Sequence, residues 1–328
     1  MASDGRLAVG VAGCGHFGRF HALKAASAPH LWLAGVCDPD AARAAAVGAE
    51  TGAPVLSWPE LLAAAEAIII AAPVEVHFPL AEAALLAGRH VLVEKPIAAT
   101  LAQADRLGRL AVRRKRVLQV GHLERFSAAF RALTQRMHQP LYIEAVRIAP
   151  FKPRGTDVSV VLDLMIHDLD LVLALIENPI EHVDAVGASV ASQHEDIANA
   201  RLRFANGCVA TITASRISLR TERRMRLFGR EEYIALDFTN RRLSMISRSA
   251  EGVKLPALEG YSIAEASWED HDSLAAEHVA FAAAVRGEAP VVVDAAAGRR
   301  ALAAALMVGE SIAASRARAA ASGLIPAA

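Results

Sequence analysis

Val91-Leu92-Val93-Glu94-Lys95-Pro96 is the stretch that decides the fold of this 328-residue chain. Three apolar, mostly β-branched residues predict a short buried parallel strand, and the polar pair after them falls at its carboxyl end. That edge is where open α/β sheets hold their ligands. Pro96 stops the strand, keeps Lys95 extended and admits a cis peptide bond. Taken alone, such a lysine reads equally as a solvated side chain at a strand-to-helix turn, so its neighbours have to decide.

Upstream, Leu7-Ala8-Val9-Gly10-Val11 predicts a strand and His16 to Ala26 a helix, with Gly13-Cys14-Gly15-His16-Phe17-Gly18 between them. In that pattern the first glycine permits a tight turn, the second lets a pyrophosphate approach the backbone, and the third lets helix and strand pack closely. The phosphate charge then meets the positive end of the helix. A second strand, Leu31 to Cys37, ends in Asp38, 20 positions after Gly18. A carboxylate there accepts the ribose hydroxyls of NAD and repels the extra phosphate of NADP, and Asp40 adds to the repulsion. Arg43 is read as part of a solvated helix face, so NAD is the expected cofactor. Ile68-Ile69-Ile70 runs out at Pro73, with His77 beyond it and Gly88 closing the following helix. Arg116 to Val120 ends at Gly121-His122. The glycine loop, Asp38, Pro73, Lys95 and His122 thus fall at the carboxyl ends of successive parallel strands. The candidate cofactor ligands are Gly13, Gly15, His16, Phe17, Gly18, Asp38, Pro73, His77, Glu94 and Lys95.

Beyond Gly121 the βαβ rhythm stops. Leu141 to Ala149, Val183 to Val190, Ala198 to Phe204, Val209 to Ile217 and Arg223 to Leu227 predict strands, with an Asn206-Gly207 turn between the third and fourth. Helical patterning returns from Ser273 to Arg286 and from Ala295 to Ala314. The expected architecture is a Rossmann doubly wound parallel sheet over 1–121, then a mainly antiparallel open sheet with helices on one face over 122–328. An uncovered sheet face calls for burial, and a second copy, as homodimer or homotetramer, is one way to supply it.

Composition narrows the class. Lys plus Arg equals Asp plus Glu at 35 each, which gives no net attraction to nucleic acid. Cys14, Cys37 and Cys208 fit neither a disulfide framework nor zinc spacing, and no metal is expected. The opening residues hold no secretory h-region, and the apolar runs fall short of the roughly 20 residues a spanning helix needs. A soluble cytoplasmic protein is the expectation.

Between the first two strands of the second domain, Asp163, His167 and Asp170 fall at i, i+4 and i+7 on an otherwise apolar helix. Buried polar groups need partners or a function. A core histidine bonded to Asp163 accounts for the pattern, and so does a catalytic pair.

Here the chain resembles the Gfo/Idh/MocA oxidoreductases. The resemblance rests on the glycine motif, on Ala87-Gly88-Arg89-His90 running into Val91 to Pro96, on Gly121-His122 with Arg125-Phe126, and on Asp163 with His167. It implies that Lys95, Asp163 and His167 line a sugar pocket beside the nicotinamide. Alcohol oxidation needs a base as hydride leaves the carbon, and imidazole titrates near neutrality. His167 is the expected base, Asp163 its orienting partner and Lys95 the stabiliser of the developing alkoxide, with the proton assignable to either Lys95 or His167. Arg147, Lys152 and Arg154 form a cationic stretch suited to a diphosphate or to solvent, and His122 and Arg125 complete the candidate substrate ligands. Read with Val160 to Val172, this stretch resembles the branch that oxidises the 3-hydroxyl of UDP-N-acetylglucosamine on the way to lipid A. A dehydrogenase of inositols or free sugars is the alternative within the family. A non-catalytic NAD-binding sensor is the alternative outside enzymes.

Overall fold

In the computed structural model, residues 5–134, 136, 139–153, 155–156, 158–248, 253–269 and 271–325 are described. The chain runs β1 (Leu7–Ala12), α1 (His16–Ser27), β2 (Leu31–Cys37), α2 (Ala41–Thr51), α3 (Trp58–Ala64), β3 (Ala67–Ile70), α4 (Val74–Leu86), β4 (His90–Glu94), α5 (Leu101–Arg114) and β5 (Leu118–Gly121). The five strands form one parallel sheet in the order β2-β1-β3-β4-β5. Every residue of β1 and β3 is buried, which is why these strands read as unbroken apolar runs rather than as alternations. Local signals set the helix ends. Asp40 caps α2 through the amides of Ala42 and Arg43, Thr100 and Gln103 form a capping box on α5, and Gly88 takes a left-handed φ of 75° after α4.

The chain continues through α6 (Ala128–Thr134), β6 (Tyr142–Ile148), a π-helical turn (Val161–Met165), α7 (Ile166–Leu175), β7 (Ile180–Ala188), β8 (Ile197–Phe204), β9 (Val209–Ser215), β10 (Glu222–Phe228), β11 (Glu232–Asp237), β12 (Arg242–Ser247), β13 (Val253–Lys254) and β14 (Ser262–Ser267). These nine strands make a second sheet, ordered β13-β14-β12-β11-β10-β6-β9-β8-β7. All neighbours pair antiparallel except β6 and β9, which are parallel because α7 and the β7–β8 hairpin intervene between them. Four strands after Leu227 were not foreseen. One sheet face is apolar: Ile143, Ala145, Ala200, Leu202, Ile212, Met225, Leu227 and Ile234 are fully buried, and α7 packs on β6 and β9. Each such large aliphatic side chain contributes roughly 1.5–3 kcal/mol by leaving water. The other face carries half-buried Tyr142, Val146, Phe228 and Tyr233, with the Phe228 ring tilted against Tyr142 at 5.6 Å and against Tyr233 at 5.0 Å.

Two helices end the chain, α8 (Ser273–Val285) and α9 (Ala295–Ala321). Contacts divide the molecule into one unit that reaches Phe126 and takes in Asp272–Leu302, and another made of Ser127–His271 with Ala303–Ala328. The boundary differs from a single cut at 121/122 because α8 returns to the parallel sheet. Its Phe281 and Ala282 join the core built by Val9, Val11, Leu33 and Ala22.

Candidate functional site

At the carboxyl ends of the parallel strands each motif residue has a local reason. Gly13 holds φ at +95°, and a Cβ there would stand 2.4 Å from the Ala71 carbonyl oxygen. A Cβ on Gly18 would meet the Gly13 oxygen at 1.8 Å, so helix and turn close only on glycine. Gly15, the N-cap of α1, is different: nothing lies within 4 Å of where its Cβ would be. That open space beside uncapped helix amides fits the pyrophosphate of a dinucleotide. His16 and Phe17 are exposed next to it.

Asp38 closes the loop from the side of β2. Its Oδ2 accepts the Cys14 amide at 2.7 Å, and its Oδ1 accepts the Asp40 amide at 2.8 Å and the Arg43 guanidinium at 2.9 Å. Burial pushes this carboxyl up, but the Cys14 amide, Arg43 and the Asp40 amide together hold it below the ordinary aspartate range. Arg43 lies on an exposed helix face, as read, and there pairs with Asp38 and with Asp40 at 3.2 Å. Burial and the Asp38 charge push the Cys14 thiol up to about 11, so it is a neutral packing group. Cys14, Cys37 and Cys208 are free thiols.

Pro73 caps α4, and His77 one turn later is buried. Its Nδ1 lies 2.8 Å from the Pro96 oxygen and its Nε2 2.8 Å from the Ala72 oxygen. Both nitrogens face backbone carbonyls, so the ring packs between the chain just past β3 and the chain just past β4. The Lys95-Pro96 peptide is cis. Glu94 is buried, and Lys95 after it is half-buried. Gly121 makes room for that carboxylate, since a Cβ there would stand 2.8 Å from Glu94 Oε1. His122 is buried and Arg125 half-buried on a short 3-10 turn, Leu123–Phe126.

In the second unit, Asp163 sits inside the π-helical turn and His167 in the first turn of α7, both half-buried. The spacing of the pair is as read, but the turn is π rather than α. Such turns recur where side chains are re-aimed. Gly155, with φ of +76°, leaves Asp163 its space: a Cβ there would approach Asp163 Oδ2 to 3.0 Å. Arg147, read as a diphosphate ligand, is 4% exposed and grips Asp168 with both ends of its fork, at 2.7 and 3.1 Å. A guanidinium satisfied in this way inside the unit is a structural group, and that assignment is corrected. Arg154 lies outside the described residues.

The sequence reading missed Arg216. Its guanidinium donates to the carbonyls of Gly155, Val158 and Glu195 and pairs with Asp196 at 3.2 Å. It anchors the segment leading into the π turn. Its planar fork of donors suits several carbonyls at once, but the sequence alone does not show that it is buried. Also missed was a buried group in the first unit, where His21, Glu94 and Glu277 bring one ligand-type atom each to within 4.8 Å of one another.

Residues 7–122 match a family described as an oxidoreductase family with an NAD-binding Rossmann fold, and residues 134–235 match the GFO/IDH/MocA C-terminal domain. The chain is 42% identical over 304 residues to UDP-N-acetylglucosamine 3-dehydrogenase from Acidithiobacillus ferrooxidans, covering 92% of this chain and 96% of that one. A solved structure of that enzyme superposes with a TM-score of 0.89 at 41% identity, over 94% of this chain and 98% of the other. Inositol 2-dehydrogenase from Leifsonia xyli is 30% identical over 56% of this chain and 58% of its own. Scyllo-inositol dehydrogenase from Lactobacillus casei, solved with NAD(H) and scyllo-inositol, shares the fold at a TM-score of 0.79 and 19% identity, over 94% of this chain and 98% of that one.

Proposed function

The chain belongs to the Gfo/Idh/MocA oxidoreductases, and from that membership we propose that it oxidises the 3-hydroxyl of UDP-N-acetylglucosamine, in the cytoplasm, as a step toward lipid A. The observation that carries this reading is the full-length similarity to a UDP-N-acetylglucosamine 3-dehydrogenase, at 42% identity over 92% of the chain. In sequence, inositol 2-dehydrogenase from Leifsonia xyli aligns with only 56% of the chain.

NAD, when bound, supplies the hydride acceptor. Gly13, Gly15 and Gly18 shape the loop that receives its pyrophosphate, the amides at the start of α1 meet the phosphate charge, and Asp38 accepts the adenosine ribose hydroxyls. His16 and Phe17 cover the loop, and Pro73 and Glu94 set the strand ends from which Lys95 emerges. His167 takes the substrate hydroxyl proton on its imidazole. Asp163 orients that imidazole or a neighbouring sugar hydroxyl, and the Lys95 ammonium stabilises the alkoxide as it forms. Lys95 is the alternative proton acceptor. Arg125 and His122 serve the sugar side.

We assign NAD binding to the unit built on the parallel sheet and substrate binding and self-association to the unit built on the nine-stranded sheet. The aromatic face of that second sheet is the surface a second copy covers, giving at least a homodimer.

The test is turnover. NADH should form with UDP-N-acetylglucosamine and not with free inositol or glucose. Lys95→Ala and His167→Ala should each slow it by about a hundredfold or more. Rapid oxidation of free inositol with the UDP-sugar ignored would remove the substrate reading and leave the family.

A further inference from the structure

Beneath the rim of the parallel sheet, Glu94 of β4 meets four polar side chains that no step above uses: His21 of α1, Gln119 of β5, and Glu277 and His278 of α8. All five are buried. His21 lies between two partners, its Nδ1 2.9 Å from His278 Nε2 and its Nε2 2.9 Å from Glu94 Oε1. A carboxylate only accepts, so His21 Nε2 carries a hydrogen and donates to Glu94. The hydrogen between His21 Nδ1 and His278 Nε2 follows the tautomers of the two rings. Burial first, then the neighbouring His21, push the His278 imidazole down to about 3, which keeps that ring neutral.

Glu277 has no such partner. It is fully buried, and neither carboxyl oxygen meets a hydrogen-bond donor among the described residues. An ionised carboxylate left in that state would cost several kcal/mol or more. One of its oxygens lies within 4.8 Å of both His21 and a Glu94 oxygen. Gln119, whose Nε2 reaches the Glu277 backbone oxygen at 3.4 Å, presents a buried Oε1 that also lacks a donor. Two carboxyl groups and the Gln119 Oε1 meet here, and what the group lacks is a proton. A bound cation is the other way to reconcile two buried carboxylates, but both ring nitrogens of His21 are already engaged, which leaves too few ligands for a closed site.

We propose that Glu277 is a neutral carboxylic acid in the folded protein, that its hydroxyl donates to the Glu94 carboxylate, and that this acid–carboxylate pair positions the strand end carrying Lys95. Glu94 is then held from three directions: by His21, by Glu277, and by the amide of Lys95, which donates to Oε2 at 3.3 Å. The groups facing Glu277 are His21 and Glu94 across the sheet end, Gln119 from β5, and His278 beside it on its own helix. Lys24, His30 and Asp272 act on His278 behind it. Burial, and then the Glu94 charge, raise the Glu277 carboxyl well above the ordinary glutamate range.

Two measurements on the full chain test this without any substrate, so a wrong substrate cannot mask the outcome. Infrared difference spectra, wild type minus Glu277→Gln at neutral pH, should show the carbonyl stretch of one protonated carboxylic acid. Urea unfolding of both proteins from pH 5 to 8 should show the folding constant of Glu277→Gln rising tenfold per pH unit relative to wild type, about 1.4 kcal/mol. The sign follows from a raised folded pKa: the wild-type proton is favourable below the unfolded value and becomes a burden as pH climbs toward the folded one. The glutamine keeps a donor for Glu94 and so should retain NAD-linked turnover that Glu277→Leu loses. A spectrum with carboxylate bands alone, a flat ratio across pH, or one equivalent of divalent metal that Glu277→Gln loses would each overturn the proposal.

Discussion

Removing Arg147 should damage folding, and the size of the damage follows from its surroundings. Its side chain is 4% exposed and that of Asp168 3%, with two hydrogen bonds between them at 2.7 and 3.1 Å. Replacing one partner leaves an uncompensated buried charge, at about 3–5 kcal/mol. For a unit of this size that corresponds to a fall in melting temperature of roughly 6–20 °C. Arg147→Met and Asp168→Leu should each show it. The double variant, which removes both charges and keeps the volume, should recover to within about 1 kcal/mol of wild type. Urea denaturation followed by circular dichroism completes the cycle. If Arg147→Met folds as well as wild type and raises only the Michaelis constant for a UDP-sugar, the guanidinium serves the substrate and the structural argument fails.

Cofactor choice should follow Asp38. NAD should bind at least tenfold tighter than NADP, a gap of about 1.4 kcal/mol, and Asp38→Ala should close it by releasing Arg43 toward the extra phosphate, as calorimetric titration of both nucleotides will show. Acid stability should depend on Asp196, which accepts the amides of Val190, Ala191 and Ser192 and pairs with Arg216. Burial pushes that carboxyl up, but the Ala191 amide and Ser192 outweigh it and hold it below the ordinary range. Its stabilisation is complete above the unfolded value of about 3.9 and fades as pH falls toward the folded one, at up to about 1.4 kcal/mol per pH unit. Asp196→Asn should flatten the acid limb of a stability profile, and an unchanged limb would clear Asp196 of the role. Light scattering at micromolar concentration should give at least a dimer, and a clean monomer would leave the aromatic sheet face without a cover.

What was legible in the sequence was whatever local chemistry decides. Glycines that tolerate no Cβ, apolar runs buried on both faces, and polar residues where those runs stop all point to one rim, and Gly13, Asp38 and Lys95 stand where their motifs put them. Long-range placement was less legible. The Ala-rich pattern of α8 announces a helix but carries no address, so its return to the first unit was invisible, and with it the meeting of Glu277 with His21 and Glu94. In His167-Asp168-Leu169-Asp170 the spacing offered three polar groups, and only the fold reveals that Asp168 faces Arg147. Charges crowd the ends of β11 and the start of β12, where Arg230, Glu231, Asp237 and Arg241 leave only short runs of the alternation that marks a half-buried strand.

The central claim is oxidation at the third carbon of the sugar, and isotope transfer tests it most directly. UDP-N-acetylglucosamine carrying deuterium only at C3 should deliver one deuterium to each NADH formed, read by mass spectrometry, and its turnover should be slower than that of the unlabelled sugar if hydride transfer limits the rate. Unlabelled NADH from that substrate would place the oxidation at another carbon and contradict the account.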